Sequence, residues 1–129
     1  MSQENVEIVR RAFQYLVSGR GGSEVLASFD PNVVMKPVET GATYGVNAIR
    51  DNFERWQSTF DELEVTVEEI IDAGDRVVHS AHWRGRGSGS GIKVDARYYE
   101  VYTLRDGKVV RVDEFTDRPE ALEAAGLEE

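Results

Sequence analysis

Cysteine is absent from this chain, and three chemistries go with it: a disulfide framework, a thiolate nucleophile and a zinc site built on sulfur. Positive charge is also short, with 15 Lys and Arg against 24 Asp and Glu and a net charge of −9. Binding to a phosphate backbone or an anionic lipid surface needs clustered Lys and Arg, so nucleic acid and membrane are excluded as expected partners. No stretch approaches the roughly 18–20 apolar residues of a membrane span. The opening "MSQENVEIVRR" lacks the apolar core of a secretion signal, and the expected location is cytoplasmic. Nucleophile elbow, basic stripe, internal repeat and linker are all missing.

What is present suits one folded domain over residues 1–129. A hydrophobic fraction of 40% is enough for a real core, and a chain of this length loses about two-thirds of its unfolded surface on folding. Ser2 is a candidate cap for a first helix, in which Val6, Val9, Phe13 and Leu16 recur at helical spacing. "SGRGGS" stops it, "EVLASF" suggests a short helical turn, and a short strand is expected from Val33 to Lys36 after "DPN". "ETGATYG" reads as a loop. A further helix from about Asn47 carries Ile49, Phe53, Trp56 and Phe60 on one stripe.

The period then changes from 3.6 to 2. "LEVTVEEII", "RVVHSAHWRGR", "IKVDARYYEVYTL" and "VVRVDEFT" read as four long strands, the last two joined at "RDGK", where Asp-Gly suits a type I′ hairpin turn. Asp117, Pro119 and Glu120 form a helix-start signature, and Gly126 ends that helix. The sum is an α+β domain whose curved antiparallel meander must cover its apolar face with the helices.

One stretch, "HWRGRGSGSGIK", invites a phosphate-loop reading. A dinucleotide fingerprint needs glycines at i, i+2 and i+5 between a strand and a helix. Here Ser90 and Ile92 occupy the i+5 positions after Gly85 and Gly87, and a strand follows. A Walker loop needs Gly-Lys-Ser/Thr, which is missing. The glycines are therefore expected to shape a bend between two strands.

The order of elements, with "YGVNAIRDNF", "LRDGKVVRVDEFTDRPEALEAAGL" and the Gly/Ser hairpin, resembles the nuclear transport factor 2-like superfamily, specifically its SnoaL-like members. The resemblance covers nearly the whole chain and is most specific from Tyr98 to Leu127. It implies a cone-shaped α+β barrel of the cystatin-like type, with N-terminal helices packed in a strongly curved, mainly antiparallel sheet. A pocket between sheet and helices, often within a homodimer, is implied too. The superfamily spans polyketide cyclases, ketosteroid isomerases, epoxide hydrolases and non-catalytic members, so the fold does not name the reaction.

Alternation sorts each strand into two faces. Val78, Ser80, His82 and Arg84 oppose Val77, His79, Ala81 and Trp83. Ala96, Tyr98, Glu100 and Tyr102 oppose Arg97, Tyr99 and Val101. Val110, Val112, Glu114 and Thr116 oppose Arg111, Asp113 and Phe115. Pattern alone leaves the inner face open, and the resemblance decides it. Glu114 matches the last-strand aspartate acid/base of cyclases and epoxide hydrolases, and Glu100 the oxygen-directed acid of ketosteroid isomerases. The first-named set is then expected inside on all three strands, and a one-residue slip would exchange the faces.

The catalytic candidates are therefore Glu114 as acid/base, Glu100 and His82 as partner donors, and Arg84 for charge tuning. Phe13, Phe53 and Trp56 would form the apolar wall, and Val78, Ser80, Tyr98, Tyr102, Val112 and Thr116 would line the pocket from the sheet. Two carboxyls in an apolar pocket hold different pKa values, which suits proton transfer beside a carbonyl or water activation at an epoxide. Plainer roles stand beside each of these. Glu114 can be a solvated strand residue, Glu100 and Arg84 a buried ion pair, His82 a structural histidine, and Tyr98, Tyr102 and Trp56 packing residues.

Departures from the resemblance narrow it. Ala12 stands where isomerases carry a helix tyrosine. Pro37 stands where they carry the general base, with Glu39 two residues on. His82 and Arg84 lack the aspartate of the epoxide hydrolase pair. His79 and His82 point to opposite faces and cannot share an ion. The expectation is cofactor-independent and metal-free chemistry of isomerase, cyclase or epoxide-hydrolase type on a small hydrophobic molecule. The alternative is a non-catalytic ligand-binding or dimeric interaction module. Trp83, placed outside by this phase, would favour a homodimer through the outer sheet face.

Overall fold

The first apolar stripe does form a helix. The computed structural model describes residues 2–127, beginning with α1 (Ser2–Ser18), in which Val9, Phe13 and Leu16 are buried. Each such burial stabilises the fold by about 1.5–3 kcal/mol, which outweighs the tenths of a kcal/mol that separate most helix propensities. The cap expected of Ser2 would use a side chain that lies outside the described residues. α2 (Gly22–Leu26) follows, then β1 (Phe29–Lys36), the two-residue β2 (Thr43–Tyr44) and α3 (Val46–Gln57). β1 begins at Phe29 rather than Val33, since Phe29 already pairs with Val109. Phe60, expected on the α3 stripe, instead opens the next strand, but its ring still packs on Trp56 with centroids 4.8 Å apart.

The four long strands are β3 (Phe60–Asp72), β4 (Arg76–Gly87), β5 (Lys93–Arg105) and β6 (Lys108–Phe115), and α4 (Arg118–Ala124) closes the described chain. They join one mixed sheet in the order β2-β1-β6-β5-β4-β3, in which only the β1–β6 pair is parallel. Register shifts in β3, between Asp61 and Glu64 and between Val67 and Glu69, break the ladder and bend the strand. Both free edges are guarded: β2 is very short, and β3 carries Glu62, Glu64, Glu68 and Glu69. At the β5–β6 turn Asp106 and Gly107 both have positive φ, 52° and 75°, as a type I′ turn requires. The Asp117 carboxylate caps α4 by accepting from the Glu120 N–H.

The Gly/Ser stretch is the end of a hairpin. Gly87 N–H donates to Ile92 O at 2.8 Å, and Arg86 pairs with Lys93. Gly85 is needed for a different reason. A Cβ there would lie 2.9 Å from Leu63 Cδ1 and 3.2 Å from Leu63 Cα, so a side chain would push β3 off β4.

Arg86 facing Lys93 has a larger consequence. Odd positions of β4 pair with even positions of β5 all along the hairpin: Val77 with Tyr102, His79 with Glu100, Ala81 with Tyr98 and Trp83 with Ala96. Across to β6, Glu100 faces Glu114 and Tyr102 faces Val112. Directly paired residues share a face. The inner face therefore carries Val77, His79, Ala81 and Trp83 from β4 together with the expected set from β5 and, from β6, Val112 and Glu114, while a register shift between Thr103 and Leu104 pairs Leu104 with Val109 and puts Val109 in the core in place of Val110. The expectation held for β5, held for β6 except at Val110, and is corrected for β4.

Val78, Ser80, His82 and Arg84 consequently face outward. Val78 is still buried, because α4 lies across this outer face and packs Ala121, Leu122 and Ala125 against Val78 and Val101. Ser80 is buried opposite Tyr99. His82 bonds Asp95 Oδ1 at 2.5 Å, and Arg84 lies 3.6 Å from Glu64. Beside them the Arg97 guanidinium donates to Glu68 at 2.8 Å. Trp83 is 3% exposed and packs inside against Phe13 and Trp56, which removes the residue that motivated a dimer through the outer face.

Two substitutions test the corrected phase. Trp83→Ala is expected to destabilise by about 3–5 kcal/mol, and its neighbour Arg84→Ala by less than about 1 kcal/mol. Chemical denaturation of both variants reads this directly. The reverse order would return the even-numbered set to the interior.

Candidate functional site

The open end of the cone holds a cavity of about 690 Å³ between α3, the inner sheet face and the loop from Pro37 to Thr43. Trp56 and Phe53 from α3 meet Trp83 and Tyr98 from the sheet to form its apolar side. The Trp56 ring stands nearly perpendicular to both Trp83 and Tyr98, with centroids 5.1 and 6.4 Å away. Glu100, Glu114 and Thr116 supply the polar side, with Glu39 in the loop. Arg55 is the one Lys or Arg in the lining, and its guanidinium donates to Asn52 Oδ1 at 2.8 Å.

Glu100 is 4% exposed and has no cationic partner among the described residues. The Tyr102 hydroxyl donates to its Oε1 at 2.9 Å. Burial, reinforced by the neighbouring Glu114, raises its pKa to about 8, against the smaller lowering by that hydrogen bond. At neutral pH Glu100 is a protonated acid. Glu114 is also raised by burial, opposed by the hydrogen bond that its Oε1 accepts from Val38 N–H at 3.2 Å. Burial, Glu114 and Glu39 likewise hold the Tyr98 phenol above its ordinary range. A pair of opposed carboxyls with one proton held tightly and a second held less tightly can both give and take a proton.

Behind Glu100 lies His79, which the sequence reading left on the other side of the sheet. It is 1% exposed, and among the described residues neither ring nitrogen has a hydrogen-bond partner. Nδ1 is 3.9 Å from Glu100 Oε1, and Phe13 packs against the imidazole with centroids 4.2 Å apart. Burial, with Arg10 adding to it, lowers its pKa to about 4. Both groups favour their uncharged forms at neutral pH, so this contact is no ion pair.

Among the residues expected to form the site, Glu100, Glu114, Phe53, Trp56, Tyr98 and Thr116 come together at the cavity. Phe13, Tyr102 and Val112 lie deeper, buried beneath the lining. His82, Arg84, Val78 and Ser80 are on the far side of the sheet, for the register reason given above. His79 was the omission, and Trp83 on the same parity was the available signal, since a tryptophan favours an interior over the face bearing Arg84. His79 and His82 do lie on opposite faces, and among the described residues no group of three or more His, Cys, Asp or Glu is placed to hold a metal ion. No described helix is long and apolar enough to cross a membrane.

Comparison with known proteins agrees with this geometry. A model of the SnoaL-like domain matches residues 9–112. The chain belongs to the SnoaL-like domain family. No functionally curated protein matches it significantly. Among solved structures, a candidate SnoaL-like polyketide cyclase from Jannaschia sp. CCS1 is 28% identical, with a TM-score of 0.76 over 96% of this chain and 92% of that one. A nuclear transport factor 2-like protein from Burkholderia thailandensis aligns with a TM-score of 0.74 at 21% identity, covering 94% and 95% of the two chains. TerC, co-crystallised with polyporic acid, aligns at 0.70 and 21% identity over 95% and 98%. The α+β cone and the nuclear transport factor 2-like superfamily are thus those of this SnoaL-like protein.

The raised pKa of Glu100 has a signed effect on stability. Its folded value of about 8 exceeds the unfolded value near 4.3, so the unfolded state loses its proton first as pH rises. Glu100 therefore costs stability progressively from about pH 4.5 to pH 8, and no further above that. Glu100→Gln should gain on the wild type across this window by a few kcal/mol, at about 1.4 kcal/mol per pKa unit. Urea midpoints of both proteins at several pH values check it, and the His79 titration is common to both.

Proposed function

We propose that this SnoaL-like protein performs cofactor-independent acid/base chemistry on a small, mostly apolar organic molecule held in the cavity. One observation carries the proposal: Glu100 and Glu114 face each other on the inner wall of an aromatic-lined cavity, and among the described residues neither is neutralised by a cation. Glu100 is the acid that donates to a developing oxyanion. Glu114, less completely buried and nearer the loop, is the group that takes or returns the second proton. Phe53, Trp56, Trp83 and Tyr98 hold the apolar body of the ligand. This pairing supports proton transfer beside a carbonyl, as in ring closure or isomerisation. The candidate cyclase from Jannaschia and the polyporic acid held by TerC support a small organic ligand.

His82 and Arg84 have no part in this reading, since their carboxylate partners lie on the other side of the sheet. A second reading, ligand binding without turnover, is favoured by Pro37, which lines the cavity where the isomerase resemblance would put its base. A panel of enones, lactones, epoxides and linear polyketide mimics separates the two. With a substrate found, Glu100→Gln and Glu114→Gln should each lower kcat by about 10²–10⁴-fold while binding persists. Thermal stabilisation by panel compounds without any product would favour the binding reading. Wild-type kcat in both variants would overturn the acid/base assignment.

A further inference from the structure

His79 is the unexplained group in this molecule. Buried polar groups are nearly always hydrogen-bonded, and an orphaned one costs about 1–3 kcal/mol. Here a whole imidazole, 1% exposed, leaves both nitrogens without a partner in the core of the cone. Apolar packing alone would be served better by a phenylalanine of similar shape. Among the described residues, a carboxylate lies close to it. Phe13 of α1 covers one side, Ile70 of β3 is the cross-strand neighbour, and Tyr102 lies 6.1 Å away between centroids. Arg10 of α1 acts on it through its charge, and Glu100 of β5 is its cross-strand partner, with Oε1 3.9 Å from Nδ1.

We propose that His79 is a positioning residue for the acid in the cavity: a neutral imidazole N–H that closes onto Glu100 Oε1 when Glu100 gives up its proton. The inference rests on the acid role assigned to Glu100 above. In the resting state Oε1 already accepts from the Tyr102 hydroxyl, so the acid proton sits on Oε2. When the Oε2–H bond breaks and the proton passes to a ligand oxygen, a buried carboxylate is left behind. Tyr102 O–H and His79 Nδ1–H then both donate to Oε1, which has two lone pairs. The imidazole needs to move only about 1 Å to reach hydrogen-bond distance. It keeps its own proton throughout, and the carboxylate is reprotonated from the product side or through Glu114.

Such an arrangement gives the ionised acid a donor that the protonated acid does not use, so the interaction strengthens as the proton leaves. It also explains why an imidazole rather than a lysine or arginine suits the place. Burial keeps His79 uncharged at working pH, and an uncharged donor leaves the resting Glu100 protonated, whereas a cation there would ionise it.

The test follows Glu100 itself. In protein labelled at the glutamate side-chain carboxyl carbons, the Glu100 signal is assigned by its loss in Glu100→Gln and titrated by NMR in the wild type, His79→Phe and His79→Gln. The Glu100 pKa should rise by about one unit in His79→Phe and return towards the wild-type value in His79→Gln, whose amide can donate. The alkaline limb of kcat for any substrate found should move with it. A purely structural histidine would instead show up as a lowered Tm in His79→Phe with Glu100 unmoved, whereas the proposal expects an unchanged or higher Tm. A Glu100 pKa that is unmoved or lowered in His79→Phe overturns the inference and leaves the acid assignment standing. A wild-type Glu100 that titrates near 4.5 removes the acid role first, and this inference with it.

Discussion

The four-residue end of the β4–β5 hairpin is the constraint on which the rest depends. Because Arg86 pairs with Lys93, each inward residue of β4 sits beside a β5 residue of the opposite parity. That register brings His79 to Glu100 and Ala81 to Tyr98, and it puts Trp83 under Phe13 and Trp56. A shift by one position would place Arg84 and His82 against the helices, where neither would find its present carboxylate partners. The cost of burying the Arg84 charge without a partner is many times the gain from any single contact. The apolar stripes of α1 and α3 select the register, and the register in turn selects the site.

Within that frame the chain tolerates an arrangement that works against stability. Among the described residues, two carboxyls share the inner wall with no cation paired to either, and behind them an imidazole has no hydrogen bond. The same chain pairs its surface charges freely: Arg97 with Glu68, Arg111 with Asp113 and Arg118 with Glu69. Partners for acids are therefore available in this protein and are not used in the cavity. Departures of that kind cluster at functional sites because a shifted proton affinity is what acid/base chemistry needs.

Much of this was legible in the amino-acid order. The change from helical to alternating period marked where the helices give way to the sheet, and Asp106-Gly107 and Asp117 marked a turn and a cap that formed as expected. Glu100 and Glu114 were on the inner face as anticipated. The β4 phase was not, because "VVHS" puts one valine and one polar residue on each face: Val78 is buried under α4 while Val77 is buried under α1. A strand covered on both sides loses the alternation that reveals its inner face. The even-length hairpin end and the bulk of Trp83 were the cues that pointed the right way. The orphaned imidazole could not be seen at all, since it depends on what the three surrounding elements fail to offer.

The central claim is that the cavity keeps a glutamic acid protonated at neutral pH. Infrared difference spectroscopy between wild type and Glu100→Gln at pH 7 tests it most directly, because a protonated carboxyl has a carbonyl stretch that a carboxylate lacks. The account predicts such a band in the wild type and its absence from the variant. A difference spectrum that contains only the carboxylate bands of Glu100 would contradict it.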